Sequence, residues 1–127
     1  MINKIGALFF LMLFTATAQA EKGSFELSIG AEKYIFQPSC IKSLEYNQQD
    51  KTDSEYLSFH LTDICGKRME KITTENMAQQ MRISYRGNSL FSAMITQILS
   101  SNFRFTTEDT SKVVIMQIIM DYNALVK

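Results

Sequence analysis

The chain holds one histidine, two cysteines, one proline and no tryptophan in 127 residues, and the scarcities exclude more than they suggest. A single imidazole, His60, cannot supply the histidine set of a usual zinc site. Cys40 and Cys65 lack the C-x-x-C spacing that holds a reactive thiolate beside its resolving partner, which argues against a thiol redox enzyme. With five glycines in all there is no glycine-rich loop to cradle phosphate and no Gly-x-Ser-x-Gly elbow to present a nucleophile. Ser58 and His60 fall on the same side of one strand only because strands repeat every two residues, which makes no triad. Carboxylates are present but poorly arranged. Asp50, Asp53 and Glu55 lie in a polar run without the glycine and closing glutamate of a calcium loop, so they read as a solvated charge cluster. Glu70 and Glu75 belong to a wet helix and its exit, where nothing would drive their two pKa values apart as glycoside hydrolysis requires. The chain is therefore expected to be no enzyme, with no metal and no cofactor.

An excess of one charge is missing too. Thirteen Lys and Arg balance thirteen Asp and Glu, which gives no general attraction to nucleic acid or anionic lipid. Long apolar runs are confined to residues 5–14, short of the roughly 20 residues a spanning helix needs. The later run 113–120 is interrupted by Gln117 and has the length of a helix's buried side, so no integral membrane span is expected.

What surrounds that first run has the three-part pattern of a secretory signal: Lys4 before it, small or polar residues 15–20 after it, then Ala18-Gln19-Ala20 ahead of Glu21-Lys22. Cleavage after Ala20 is the expected outcome, against the alternative of an uncleaved anchor. No cysteine follows the cut, so no lipoprotein is indicated. The body, residues 21–127, is then one domain of 107 residues working in the periplasm or secreted beyond it. In such an oxidising compartment Cys40 and Cys65 are expected to join, the alternative being two free buried thiols. The bridge would close a loop worth about 3.5 kcal/mol of chain entropy.

Aromatic and β-branched residues mark strands at 24–28 and 33–36, and a weaker strand at 41–46 follows Pro38, before the polar run 47–55, which has the composition of an exposed loop. Leu57, Phe59 and Leu61 alternate with Ser58 and His60 as a half-buried strand does. Thr62 or Asp63 then caps a helix whose apolar side is Ile64, Cys65, Met69 and Ile72, and a helical turn at Glu75-Asn76-Met77 leads on. Met81, Ile83 and Tyr85 alternate with Arg82, Ser84 and Arg86, and Gly87-Asn88 makes a hairpin turn. Residues 90–99 are apolar on both alternating sets, which fits either a central strand or a helix; the strand is preferred. Phe103 and Phe105 mark a short strand. A last helix, 108–125, is capped within Thr106 to Asp109 and carries Val113, Val114, Met116, Ile119, Met120 and Tyr122. The sum is an α+β domain in the order β-β-β-α-β-β-β-α, a mostly antiparallel sheet with two helices on one face.

Several of these segments, Leu57-Ser58-Phe59-His60-Leu61-Thr62, Gly66-Lys67-Arg68-Met69, Ile72-Thr73-Thr74-Glu75-Asn76, residues 81–90 and Asn102-Phe103-Arg104-Phe105-Thr106, together resemble the head of the first large periplasmic domain of SecD, the accessory subunit of the Sec protein translocase. The likeness covers about the last 65 residues. It implies an exported module that contacts polypeptide; SecD's membrane helices have no counterpart, so the translocase function is not carried across. At Met77-Ala78-Gln79-Gln80 the chain departs from the family's glycine and basic residue, and that turn is expected to differ.

Surface chemistry is what remains. Arg82, Arg86 and Arg104 are expected on the outward faces of neighbouring strands, where with His60, Ser84 and Asn102 they would form a weakly basic face, either ordinary solvated surface or a receiver of extended peptide by strand addition. The resulting expectation is a non-catalytic module binding another exported protein or peptide, as adaptor, modulator or holdase. The alternative is a small exported inhibitor or immunity-type protein that inserts the 47–55 loop into an enzyme or toxin.

Overall fold

A computed structural model describes residues 22–48 and 55–127; the expected leader and most of the 47–55 run lie outside the described residues. The elements are β1 (Phe25–Ile29), β2 (Glu32–Phe36), β3 (Ile41–Asn47), β4 (Tyr56–Leu61), α1 (Asp63–Glu75), β5 (Gln80–Tyr85), β6 (Asn88–Met94), β7 (Asn102–Thr106) and α2 (Lys112–Asp121), with single 3-10 turns at Pro38–Cys40 and Asn123–Leu125. This is the α+β order expected from the pattern. The strands pair antiparallel throughout and are divided between two sheets, β2-β1-β5-β6 and β3-β4-β7.

Period-two burial explains why these segments are strands. Phe25, Leu27 and Ile29 of β1 are buried while Glu26 and Ser28 are half-exposed, and β4 repeats the pattern with Leu57, Phe59 and Leu61. The inner faces of the two sheets meet: the ring of Phe25 stands edge-on to that of Phe59 with centroids 4.9 Å apart, and their buried residues join in one cluster that also takes in Met69 and Ile72 from α1 and Ile118 and Tyr122 at the end of α2. One core therefore serves both sheets.

Thr62 caps α1, its hydroxyl accepting the Cys65 N–H at 3.4 Å. The helix buries Gly66, Met69, Ile72 and Thr73, whereas Ile64, expected on the apolar side, is 82% exposed. Cys40 and Cys65 form the disulfide, Cα atoms 5.6 Å apart, which fastens the first turn of α1 to the 3-10 turn before β3.

The second helix is shorter than 108–125 and is not capped from Thr106 to Asp109; Ser111 stands at its N-cap with no side-chain cap bond. The reason is tertiary. Thr107 donates to the Glu55 carboxylate at 2.9 Å and Thr110 to the Leu90 carbonyl at 2.6 Å, bonds that turn both buried side chains toward other elements, and the helix starts beyond them. Its buried side is Ile115, Ile118, Asp121 and Tyr122, while Val113, Met116 and Met120, read above as core, are exposed.

Candidate functional site

An antiparallel sheet that does not close leaves edges, and here the edges differ in treatment. The outer edge of β3 is covered by the chain itself, where Val126 bridges to Leu44 and the Lys127 N–H donates to the Leu44 carbonyl at 2.9 Å. β6 and β7 are consecutive, each is the last strand of its sheet, and they are not hydrogen-bonded to each other. Between them lies a cleft of about 150 Å³ lined by Met81, Ile83, Phe91, Ala93, Met94, Ile95, Thr96, Gln97, Leu99, Phe103, Arg104 and Phe105. Apart from Arg104 the lining carries no charge, and its base is aromatic: Phe91 stacks on Phe105 at 5.1 Å, and Phe59 on Phe103 at 5.2 Å.

One end of the cleft is closed by residues 95–101, a connection held on all sides. Ile95 exchanges backbone bonds with Gln79 and Ala78, the Leu99 N–H donates to the buried Thr73 hydroxyl at 3.0 Å, and the Ser101 carbonyl accepts from Leu61. Gly66 makes the close approach possible, since a Cβ there would fall 2.0 Å from the Ser101 Oγ and 2.9 Å from its Cα. At the other end, Thr110 ties down the Leu90 carbonyl.

Which backbone groups the β7 edge offers follows from the ladder. The Leu61 N–H bonds the Ser101 carbonyl and the Thr107 N–H bonds the Glu55 carbonyl, with Leu57 opposite Phe105 and Phe59 opposite Phe103 between them. Hydrogen-bonded and non-bonded pairs alternate, so Phe103 and Phe105 spend their backbone groups on β4. Asn102, Arg104 and Thr106 therefore direct theirs away from β4, toward the open side. The same reasoning from the Ile95 N–H to the Gln79 carbonyl leaves Ser92 and Met94 outward on β6.

The four residues singled out from the sequence do not form one face. Arg82 lies on β5 of the four-stranded sheet, exposed between Ser28 and Ser92. Arg86 is not on a strand face at all: β5 ends at Tyr85, and Arg86 (φ 48°) and Gly87 (φ 82°) make the hairpin turn, one residue earlier than Gly87-Asn88. Its guanidinium reaches the buried Asp121 at 3.2 Å. Only His60 and Arg104 share a surface, the outer face of the three-stranded sheet, where His60 Nδ1 is 2.6 Å from the Asn102 amide oxygen and the Arg104 guanidinium sits 4.4 Å from the centre of the Tyr56 ring. Beside His60 a polar depression is lined by Lys42, Ser43, Asp63, Ser101, Asn102 and Lys127, of mixed sign. Among the described residues no three His, Cys, Asp or Glu come together in a group able to hold a metal ion.

Glu55, placed by its composition in an exposed acidic loop, is buried instead. Lys112 pairs with it and, with burial opposing, holds its carboxyl below the usual range, helped by hydroxyls of Thr107 and Tyr46. Asp121 is buried likewise. Burial pushes its carboxyl up, but hydrogen bonds from Tyr85 at 2.5 Å and Gln117 at 2.8 Å, with the charge of Arg86, outweigh that and leave it below the ordinary value. The same cluster grips the start of the described chain, where the Gly23 N–H donates to the Tyr85 hydroxyl at 2.9 Å and Tyr122 donates to the Gly23 carbonyl. These carboxylates fix the frame, and neither lines the cleft.

The cleft residues Phe91, Met94, Leu99 and Phe103 were not singled out from the sequence. The signal existed in the apolar residues on both sides of 90–99, which fitted a central strand but belong to an edge strand and the connection after it. No family model matches the chain, and no curated protein matches its sequence.

Proposed function

We propose that the chain is an exported, non-catalytic module that binds another polypeptide in the cleft between β6 and β7. The observation that carries this reading is the pairing of backbone donors and acceptors, unspent among the described residues, on two neighbouring sheet edges with an apolar, aromatic-floored cleft between them. Strand addition needs both: main-chain bonds supply affinity and pockets for alternate side chains supply selectivity. Export is supported by the leader pattern ahead of Glu21 and by the Cys40 and Cys65 pair at bonding distance. The likeness to the SecD head, whose family contacts emerging polypeptide, points the same way. On this reading the protein acts as an adaptor, modulator or holdase for an exported partner.

The test is a photo-crosslinking amino acid placed at Met94, inside the cleft, and separately at Ile35 on the far β2 strand, with the protein expressed in a cell that exports it. Defined adducts from the Met94 position that a competing peptide suppresses, with none from Ile35, are expected. Equal labelling from both positions, or none from Met94, would contradict the reading. Sequencing the recovered protein is expected to return Glu21 as its first residue; Met1 would remove the exported part of the proposal.

A further inference from the structure

Resting on that reading of the cleft, we infer what it selects: an extended segment with an acidic residue between two apolar ones, added as a strand to β7 with the acid opposite Arg104. Three placements lead there. The open edge of β7 presents the backbone N–H and C=O of Arg104 at its centre, flanked by Asn102 and Thr106, so a ligand residue opposite Arg104 exchanges both main-chain bonds with it. Its side chain then lies on the same face as that of Arg104, on a directly opposed pair some 5.5 Å apart between Cα atoms. The ligand residues before and after it point to the other face, above Phe103, Phe105, Phe91 and Leu99, where only apolar side chains avoid stranding a polar group.

Charge selects the central residue. Arg104 is the sole charged residue of the twelve lining the cleft, its outward neighbours on β7 are the neutral Asn102 and Thr106, and no ion pair engages it among the described residues. On β4 the residue paired with it is Ser58, also neutral. The Tyr56 ring steadies the guanidinium without neutralising it. Glu45 on β3, across Ser58 on the same face, stands one strand further off and forms no ion pair with Arg104. Among the described residues an incoming carboxylate therefore meets a cation that no carboxylate pairs, while an incoming lysine meets a like charge across the new strand pair, the arrangement that destabilises sheets. A basic centre is rejected as actively as an acidic one is accepted.

The experiment uses the protein and two eleven-residue peptides blocked at both ends, identical except for the centre of a Val-x-Val core, which is Glu in one and Lys in the other. Fluorescence anisotropy at low ionic strength is expected to give at least fivefold tighter binding of the Glu peptide, and Arg104→Glu is expected to reverse the order. That exchange sits on an exposed outer face, and far-ultraviolet circular dichroism identical to the parent shows that it leaves the fold in place. Register is read separately. N-methylation of the central Glu removes the main-chain donor to Arg104 and is expected to weaken binding at least tenfold, while N-methylation of either valine, whose N–H points away from β7, stays within about twofold. Peptides that bind with no preference and no such N-methyl pattern would overturn the acidic strand on β7 and leave a polypeptide cleft standing. Failure of both peptides to bind would overturn this inference, and the Met94 crosslinks would then decide the broader reading by themselves.

Discussion

Asp121 and Thr73 show how much of this fold depends on single polar atoms in buried places. The Asp121 carboxyl is held below its ordinary value of 3.8, so it contributes stability that is fully present above about pH 4 and lost as pH falls through the lower folded value. Asp121→Asn removes that contribution. The variant is expected to be less stable than the parent by about 1–3 kcal/mol at pH 7, with the gap narrowing toward pH 3, in denaturant titrations at both pH values. An unchanged gap across that range would mean the carboxylate's charge is irrelevant. Thr73 is fully buried, and its hydroxyl both donates to the Met69 carbonyl at 2.9 Å and accepts the Leu99 N–H. Thr73→Val keeps the volume and strands that N–H, an expected loss of about 1–3 kcal/mol by thermal or chemical unfolding. None of these roles was legible in the sequence. Glu55 sits in a polar run and finds Lys112 57 residues away, and Asp121 finds Arg86 35 residues away, so no local pattern marks either as an interior group.

At the scale of elements, the strands and the first helix were legible because alternation and spacing are local properties. Leu57, Phe59 and Leu61 announce β4, and Thr62 announces the start of α1. α2 was misread in part because it is apolar nearly all round: Val114 and Tyr122 pack on the core as read, but Val113, Met116 and Met120 offer as good a stripe as Ile115 and Ile118, and the choice falls to Asp121 and Tyr122, which turn inward to Tyr85 and Gly23. Helix placement also depends on contacts that pattern cannot show. Gly66 faces the connection between β6 and β7, and Gly66→Ala gains helix propensity of up to about 1 kcal/mol but drives a methyl into the Ser101 backbone. The net expectation is destabilisation by about 1–3 kcal/mol together with weaker peptide binding, because the displaced segment lines the cleft. A Gly66→Ala protein as stable as the parent would show that the α1 contact has slack.

For the molecule as a whole, the element order was legible and the division into two sheets was not. Which strands pair is decided by contacts far apart in sequence, such as β1 with β5 and β4 with β7, and an open cleft between consecutive strands leaves no local trace. The disulfide spans the same long reach, tying the entry to β3 to the start of α1. Replacing both Cys40 and Cys65 by alanine is expected to cost up to about 3.5 kcal/mol by chain entropy, read as a lower denaturant midpoint, while reductant leaves the variant unaffected. A midpoint equal to that of the oxidised parent would show that the bridge adds nothing to the fold.

The claim on which the functional account stands is that polypeptide joins the molecule as a strand beside β7. Hydrogen exchange of individual backbone amides, with and without the Glu-centred peptide, tests it most directly. Added protection at Asn102, Arg104 and Thr106, with the β2 amides unchanged, is the expected result; protection confined to other strands, or a bound peptide that leaves those three amides exchanging as before, would contradict it.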